Sequence, residues 1–508
     1  MMKILTKNQT RLLFIFVLEI LLLSYQYLGG KPDHAWPDSD ASVFPLMALH
    51  LMQDGDFSPY FYGQDYIGTF PVLIIAGLFK LLGVSHLWVD VLYAVVYSGI
   101  ITIISAFLIR KTGFIPVLVF AISYAFFPSE LSIPRALDSG THNFSIFSGL
   151  LTGYIFSLFI DAKLSNQDNL WRNNYFGPGL TLLLGVLAYW SSPLGFISVI
   201  AIIMTVLFSC RKQLFPRFFE KLYSFDMAKK WWWLILLITV LTGLVFFEER
   251  FLNVIFNIFL ITKIYFLHLF VRIPEPMNYF WSIIPFMALF FVVYKERALL
   301  KKMWQGRAIS PPWHLVLLST PIFNVIFALP TSDHLEDYSS ARYFESLQWM
   351  NLYILPLLFA VLFRSKIKNQ LSIIYLVFAV FTWYSEQDED YSRLQNPSET
   401  LQFIQLRQND MTRLLDDEKT VIDFLDKRKL YYGFSDYWLA YRLTWLSHEK
   451  FIISPYKDSR YPAYDERIKK QGIGFFLFYI EELGDGREIA NQHGKLKAKT
   501  FGELILFY

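Results

Sequence analysis

Six aspartates, Asp33, Asp38, Asp40, Asp54, Asp56 and Asp65, fall between the first hydrophobic segment of this 508-residue chain and the next long apolar run. A carboxylate can take the proton of a hydroxyl that is about to attack an electrophile, and several together can hold a divalent cation. Asp38 and Asp40 are the better candidates for a base because they open the apolar stretch SDASVFPLMALHLMQDG. A helix that begins there favours negative charge at its N-terminus. Asp40 directly precedes the apolar residues and is held more rigidly; Asp38 stays open as the alternative. Farther along, Asp138 and His142 are four apart and would share one helix face, with Arg135 just before them. Asp138 or Ser139 could equally be a helix cap. Arg342 is the only basic residue of the acidic stretch 330–348 and leads into an apolar run. It could snorkel harmlessly, or its planar fork could hold a phosphate.

These residues need a scaffold, and composition says which kind. The chain is 54% hydrophobic, 19% aromatic and only 18% charged, which predicts a polytopic membrane protein rather than a soluble one. Apolar runs at 11–28, 86–109, 113–127, 142–160, 177–190, 193–209, 231–247, 279–294, 313–329, 349–363 and 371–384 predict about eleven spans. With the N-terminus inside, the cytoplasmic segments hold 21 Lys and Arg against 5 Asp and Glu, and the outside loops hold 7 against 15. That contrast fits the positive-inside rule and would fade if one span had been missed. The acidic loop 29–85 is therefore expected outside, with two short helices at the membrane interface, since 13 to 17 residues are too few to cross about 30 Å of hydrocarbon. Lys3, Lys7 and Arg11 precede the first run, but no small-x-small site follows Leu28, so the run is expected to remain as an anchor.

After Tyr384 the sequence turns polar, then alternates short strands and helices. TRLLDDEKTVIDFLDKRK and SDYWLAYRLTWLS read as helices, the second capped, and KLYYGF, EKFIISP, GIGFFLFYI and GELILFY read as strands. The expected division is a transmembrane catalytic domain over 1–384 and a small C-terminal extracytoplasmic α/β domain over 385–508. Cys210 is the single cysteine, which excludes an intramolecular disulfide or a cysteine metal cluster. The net charge of +3 comes mostly from the basic inside segments and gives no sign of nucleic-acid binding. Glu248 and Glu249 could ligate a metal or simply be solvated.

Several of these motifs carry a family resemblance. The aspartate that opens a short helix, followed by Gly55, Pro59 and YFYGQDYIGT at 60–69, resembles the first external loop of the GT-C superfamily of membrane glycosyltransferases, which includes the protein O-mannosyltransferases and the lipid A aminoarabinose transferases. The SGTH sequence at 139–142, the Trp190-Ser191-Ser192-Pro193 turn, and Ala341-Arg342-Tyr343 followed by Leu355-Pro356-Leu357 are similar to turns and helices of the same superfamily, although more residues than usual separate the last two. YYGFSDYWLAYRLTWLSHEKFIISPYKDSRYPAY at 431–464 looks similar to the external domain of a prokaryotic GT-C subgroup.

The resemblance implies an enzyme of a prokaryotic cytoplasmic membrane that moves a sugar from a polyprenyl-phosphate carrier to an acceptor glycan, lipid or protein. It implies Asp40, Asp38 or Asp138 in catalysis, and Arg342, Tyr343, His142, Arg135, Tyr62, Gln64 and Tyr66 in substrate binding. No organic cofactor is expected, and a divalent metal cation shared among loop carboxylates stays open. A base opposite the leaving phosphate would invert the anomeric centre. Two other classes remain. A transporter of lipid or small solute should carry ionisable residues within its spans, whereas the charges here lie almost wholly in loops; a non-catalytic scaffold of the same fold is the second, since fold does not fix activity.

Overall fold

Apolar runs with few charges become helices, and their order sets up one bundle. In the structure, a computed structural model, residues 6–29, 39–64, 67–125, 140–165, 176–214, 287–305, 312–328, 345–386, 414–495 and 497–508 are described. The helices of the apolar part are α1 (Lys7–Gly29), α2 (Ser39–Asp54), α3 (Phe70–Leu82), α4 (His86–Thr112), α5 (Phe114–Ala125), α6 (Gly140–Leu164), α7 (Phe176–Ser191), α8 (Pro193–Leu214), α9 (Arg297–Trp304), α10 (Trp313–Ala328), α11 (Glu345–Leu362) and α12 (Ser365–Glu386). Among the described residues three helical stretches, His86–Thr112, Asn143–Leu164 and Gly195–Leu214, are long and apolar enough to cross a membrane. At 1.5 Å per residue the first reaches about 40 Å, more than the hydrocarbon thickness. The expected span at 231–247 lies outside the described residues.

The bundle is assembled around α4 and α6. Helix α1 packs on α4 and α5, α5 on α11 and α12, and α6 on both α7 and α8. The α6 to α8 crossing depends on glycine: a Cβ on Gly195 would lie 2.0 Å from the carbonyl oxygen of Ser145, so only a backbone without a side chain fits. Ser145 Oγ uses that closeness, donating toward the carbonyl of Ser192 at 2.6 Å and accepting from the Gly195 amide at 2.9 Å. At the far end of α4, Arg110 pairs with Asp161 at 2.8 Å and lies over the ring of Trp313, while Lys111 pairs with Glu296.

Residues 414–508 hold the sheet. Its elements are α13 (Asp416–Arg428), β1 (Tyr432–Ser435), α14 (Tyr437–Leu446), β2 (Ile452–Pro455), α15 (Pro462–Gln471), β3 (Phe475–Tyr479), α16 (Leu483–Gln492), β4 (Ala498–Phe501) and β5 (Leu504–Phe507). The strand order is β2-β1-β3-β5-β4. Strand β1 pairs in parallel with β2 and β3, placing Phe434 beside Ser454 and Phe476, and β5 pairs antiparallel with β3 and β4. Parallel strands need crossovers, and α14 and α15 supply them. Helix α13 is tied in by a buried fork, in which Arg442 Nε and Nη2 donate to Glu418 Oε1 and Oε2 at 3.0 Å each.

The sheet unit meets the bundle through α14. Trp445 is fully buried. Its ring stacks on Phe79 of α3, and its Nε1 donates to His86 Nδ1 at 2.9 Å, while His86 Nε2 sits 3.3 Å from Asp90. This docking changes what α2 is. A helix lying at the interface would leave one face open, yet residues 41–50 are all buried, because α3 covers one side and α14 another. Helix α3 differs, with Pro71, Val72, Ile75, Ala76 and Phe79 buried and Leu73, Leu81 and Leu82 exposed.

Candidate active site

The first turn of α2 carries the candidate base. Ser39 is fully buried, and its Oγ lies 2.5 Å from the carbonyl oxygen of Tyr437 and 2.9 Å from that of Trp438. Asp40 follows on the same turn. The partner helix is itself fixed there: Asp436 caps α14 by accepting from the Trp438 amide at 2.7 Å. The start of the carboxylate-bearing helix is thus bonded to the capped start of another helix, 398 residues away.

Behind α2 the chain turns back in a short hairpin. Tyr60 bridges Gly68, and the Phe61 amide donates to the Ile67 carbonyl at 2.8 Å. The hairpin rests on the turn between α7 and α8: Trp190 Nε1 donates to the Pro59 carbonyl at 2.9 Å, and the Gly68 amide to Ser191 at 3.2 Å. Gly68 is required by that contact, since a Cβ would fall 1.9 Å from the Trp190 carbonyl oxygen. On its other side the hairpin meets the sheet unit, where Arg460 lies over the rings of Phe61 and Tyr437 at 5.3 and 4.7 Å. Three stretches singled out separately in the sequence, 60–69, 190–193 and 431–464, therefore touch.

The far end of α2 closes a second polar cluster. His50 Nδ1 is 2.9 Å from Tyr62 OH, and His50 Nε2 is 3.0 Å from Glu449 Oε1. Tyr464 donates to the same Glu449 oxygen at 2.8 Å. Tyr461 stacks on Tyr62 with ring centroids 4.3 Å apart and donates to Asp56 at 3.3 Å. Burial, then the nearby Tyr461 and Asp56, push the Tyr62 hydroxyl above its ordinary range, so it stays protonated. Burial would raise the Glu449 carboxyl, but the bond and charge of His50, with Tyr464 and Arg467, outweigh it and leave it below the ordinary carboxylate range.

The sequence-predicted residues divide as follows. Tyr62 is in the α2 cluster. Gln64 turns the hairpin, its backbone amide donating to the Phe61 carbonyl at 2.9 Å, and its side-chain oxygen is buried without a hydrogen-bond partner among the described residues. Residue 40 is in the first turn of α2, and residue 142 in the first turn of α6. That end of α6 is at the hairpin, for Phe144 packs edge-on against Phe70, which in turn lies against Trp190. Asp38, Tyr66, Arg135, Asp138, Glu248, Glu249, Arg342 and Tyr343 lie outside the described residues. Among the described residues no group of three or more His, Cys, Asp or Glu is arranged to hold a metal ion.

Sequence reasoning missed Ser39, His50, Glu449, Tyr461, Tyr464 and Arg460. His50 had one signal, a lone imidazole in an otherwise apolar helix. Its partner is 399 residues away and had none.

Neither a family model nor a curated protein matches the chain. A solved structure, the crystal structure of ArnT from Cupriavidus metallidurans bound to undecaprenyl phosphate, aligns with 97% of each chain at 12% identity and a TM-score of 0.48. At that identity the alignment gives no residue here a role, and the site stands on its own geometry.

Proposed function

We propose that this membrane protein transfers a sugar from a polyprenyl-phosphate-linked donor to an acceptor hydroxyl on the extracytoplasmic side, with inversion. The observation that carries the reading is the buried joint at Ser39, which holds the turn bearing Asp40 against a capped helix. A general base needs that rigidity, because proton transfer depends on a fixed heavy-atom distance. The meeting of the hairpin, the Trp190 turn and the sheet unit adds support, since each was singled out by the same family resemblance. That the ArnT structure holds undecaprenyl phosphate accords with the choice of donor class.

In this reading Asp40 takes the proton of the acceptor hydroxyl as its oxygen attacks the anomeric carbon. The bond from that carbon to the phosphate oxygen breaks, and the polyprenyl phosphate leaves with its negative charge. Arg342 neutralises that charge through its guanidinium fork. Asp138, His142, Arg135, Tyr343, Gln64 and Tyr66 complete the donor and acceptor contacts. Asp38 is the alternative base. A divalent cation is needed by no step of this scheme.

The test is transfer from a panel of radiolabelled polyprenyl-phosphate sugars by the full chain in proteoliposomes. Release of polyprenyl phosphate coupled to labelled acceptor supports the reading; turnover at the wild-type level in Asp38→Asn, Asp40→Asn and Asp138→Asn would overturn it.

One observation favours the transporter reading. Glu19 of α1 is fully buried, and among the described residues neither of its carboxyl oxygens has a hydrogen-bond partner, as expected of an intramembrane residue that serves a translocated solute. Solute or lipid flux into proteoliposomes that is abolished by Glu19→Gln, with no glycosyl transfer, would make it the better account.

A further inference from the structure

Helices α2 and α14 lie side by side, running the same way. Ser39 meets Trp438 at one end, and His50 meets Glu449 at the other. His50 lies about 16 Å beyond Ser39 along α2, and Glu449 sits in the turn just past the end of α14. Both contacts are polar and largely buried, with Ser39 fully so, the His50 side chain 5% exposed and that of Glu449 15%. Ser39 is closed to substrate, so any influence on chemistry must pass through its neighbour, residue 40.

We infer that the sheet unit is a clamp that sets the position of the catalytic carboxylate, and that Ser39 and the His50–Glu449 pair are positioning residues for transfer. The inference rests on the reading of Asp40 as the base. The first pin fixes the turn that carries Asp40. The second pin fixes the rotation of α2 about its axis, because a helix held at one point can still turn or swing there. Tyr62 and Tyr464 brace His50 and Glu449 from the hairpin and from α15, so the second pin also couples α2 to the hairpin on the Trp190 turn. Apolar packing alone between 41 and 50 would bury the same surface while allowing small slides. Two directional bonds remove that freedom. A displacement of about 1 Å can cost a rate factor near 10² when a reacting group is misplaced.

The experiment uses the full chain in nanodiscs. Ser39→Ala and Glu449→Gln are each expected to lower kcat at least tenfold with KM for the polyprenyl-phosphate sugar unchanged. Ser39→Thr, which keeps the hydroxyl, should recover most of the loss. Merely weakened folding would lower the active fraction and would be corrected by counting active sites, so the loss must persist per active site. Wild-type kcat in Ser39→Ala, with Asp40→Asn inactive, overturns the clamp and leaves the base standing. Full activity in Asp40→Asn instead removes the reading beneath it. An independent measurement needs no substrate: amide exchange over 41–50 should rise at least tenfold in Ser39→Ala/Glu449→Gln while 143–160 of α6 is unchanged, and unchanged exchange over 41–50 overturns the clamp.

Discussion

A carboxylate acts as a base only if it stays charged and meets the hydroxyl at hydrogen-bond distance. In the proposed reading that base is Asp40, in the first turn of α2. Asp40→Asn keeps size and polarity and removes the basicity. Turnover should fall by roughly 10²- to 10⁴-fold, with donor binding and expression near the wild-type level. Arg342→Ala should differ in kind, weakening donor binding as well as transfer, and lysine at 342 should recover only part because it lacks the fork. Transfer and donor binding measured separately in one detergent distinguish the two. The place of residue 40 at a helix start was legible because helix starts leave a pattern. Ser39 was not, since a buried serine that bonds a helix nearly four hundred residues away looks in sequence like any other.

At the scale of elements, the strands and capped helix of the sheet unit were readable because local chemistry specifies them. SDYW places the Asp436 carboxylate to accept from the Trp438 amide, and FFLFY is a continuous apolar run that becomes β3, buried but for its last residue. Strand β4 was missed for a physical reason. It is an edge strand whose Ala498, Lys499 and Thr500 are exposed, so it shows neither alternation nor a hydrophobic run. The burial of α2 was missed too, because what covers it is the docked α14, and docking of distant elements leaves no periodic mark. Two element-scale predictions follow from the contacts. Gly68→Ala forces a Cβ into the Trp190 carbonyl, an overpacking that costs about 1 to 3 kcal/mol and should lower the melting temperature in detergent, whereas Gly77→Ala, with open space around it, should not. The Glu449 carboxyl sits below its ordinary value of 4.5 in the folded chain, so the stabilisation it gives is fully present above about that pH. It is lost as pH falls further, through the folded value. Glu449→Gln should therefore melt below the wild type at neutral pH, and the gap should narrow as the pH is taken under 4.5.

At the scale of the molecule, the structure links sidedness between segments that sequence could only assign one by one. The bonds from His50 to Glu449 and from Trp445 to His86 join the end of α2 and the start of α4 to the sheet unit. The pairs Arg110–Asp161 and Lys111–Glu296, about 40 Å away along α4, draw the ends of α4 and α6 and the start of α9 together at the other end of that helix. The contrast of basic and acidic segments predicts which side is which. Single cysteines at the exposed positions Gln53, Glu466, Ser165 and Lys302, in a background with Cys210→Ser, test both statements at once. A membrane-impermeant thiol reagent applied to intact cells should label the first two, and the last two should react only after permeabilisation. Labelling of Ser165→Cys and Lys302→Cys alone would keep the pairing and invert the orientation, moving the proposed transfer to the cytoplasmic face. Labelling that separated Gln53→Cys from Glu466→Cys would break the joint between α2 and α14, and the arrangement of the candidate active site with it.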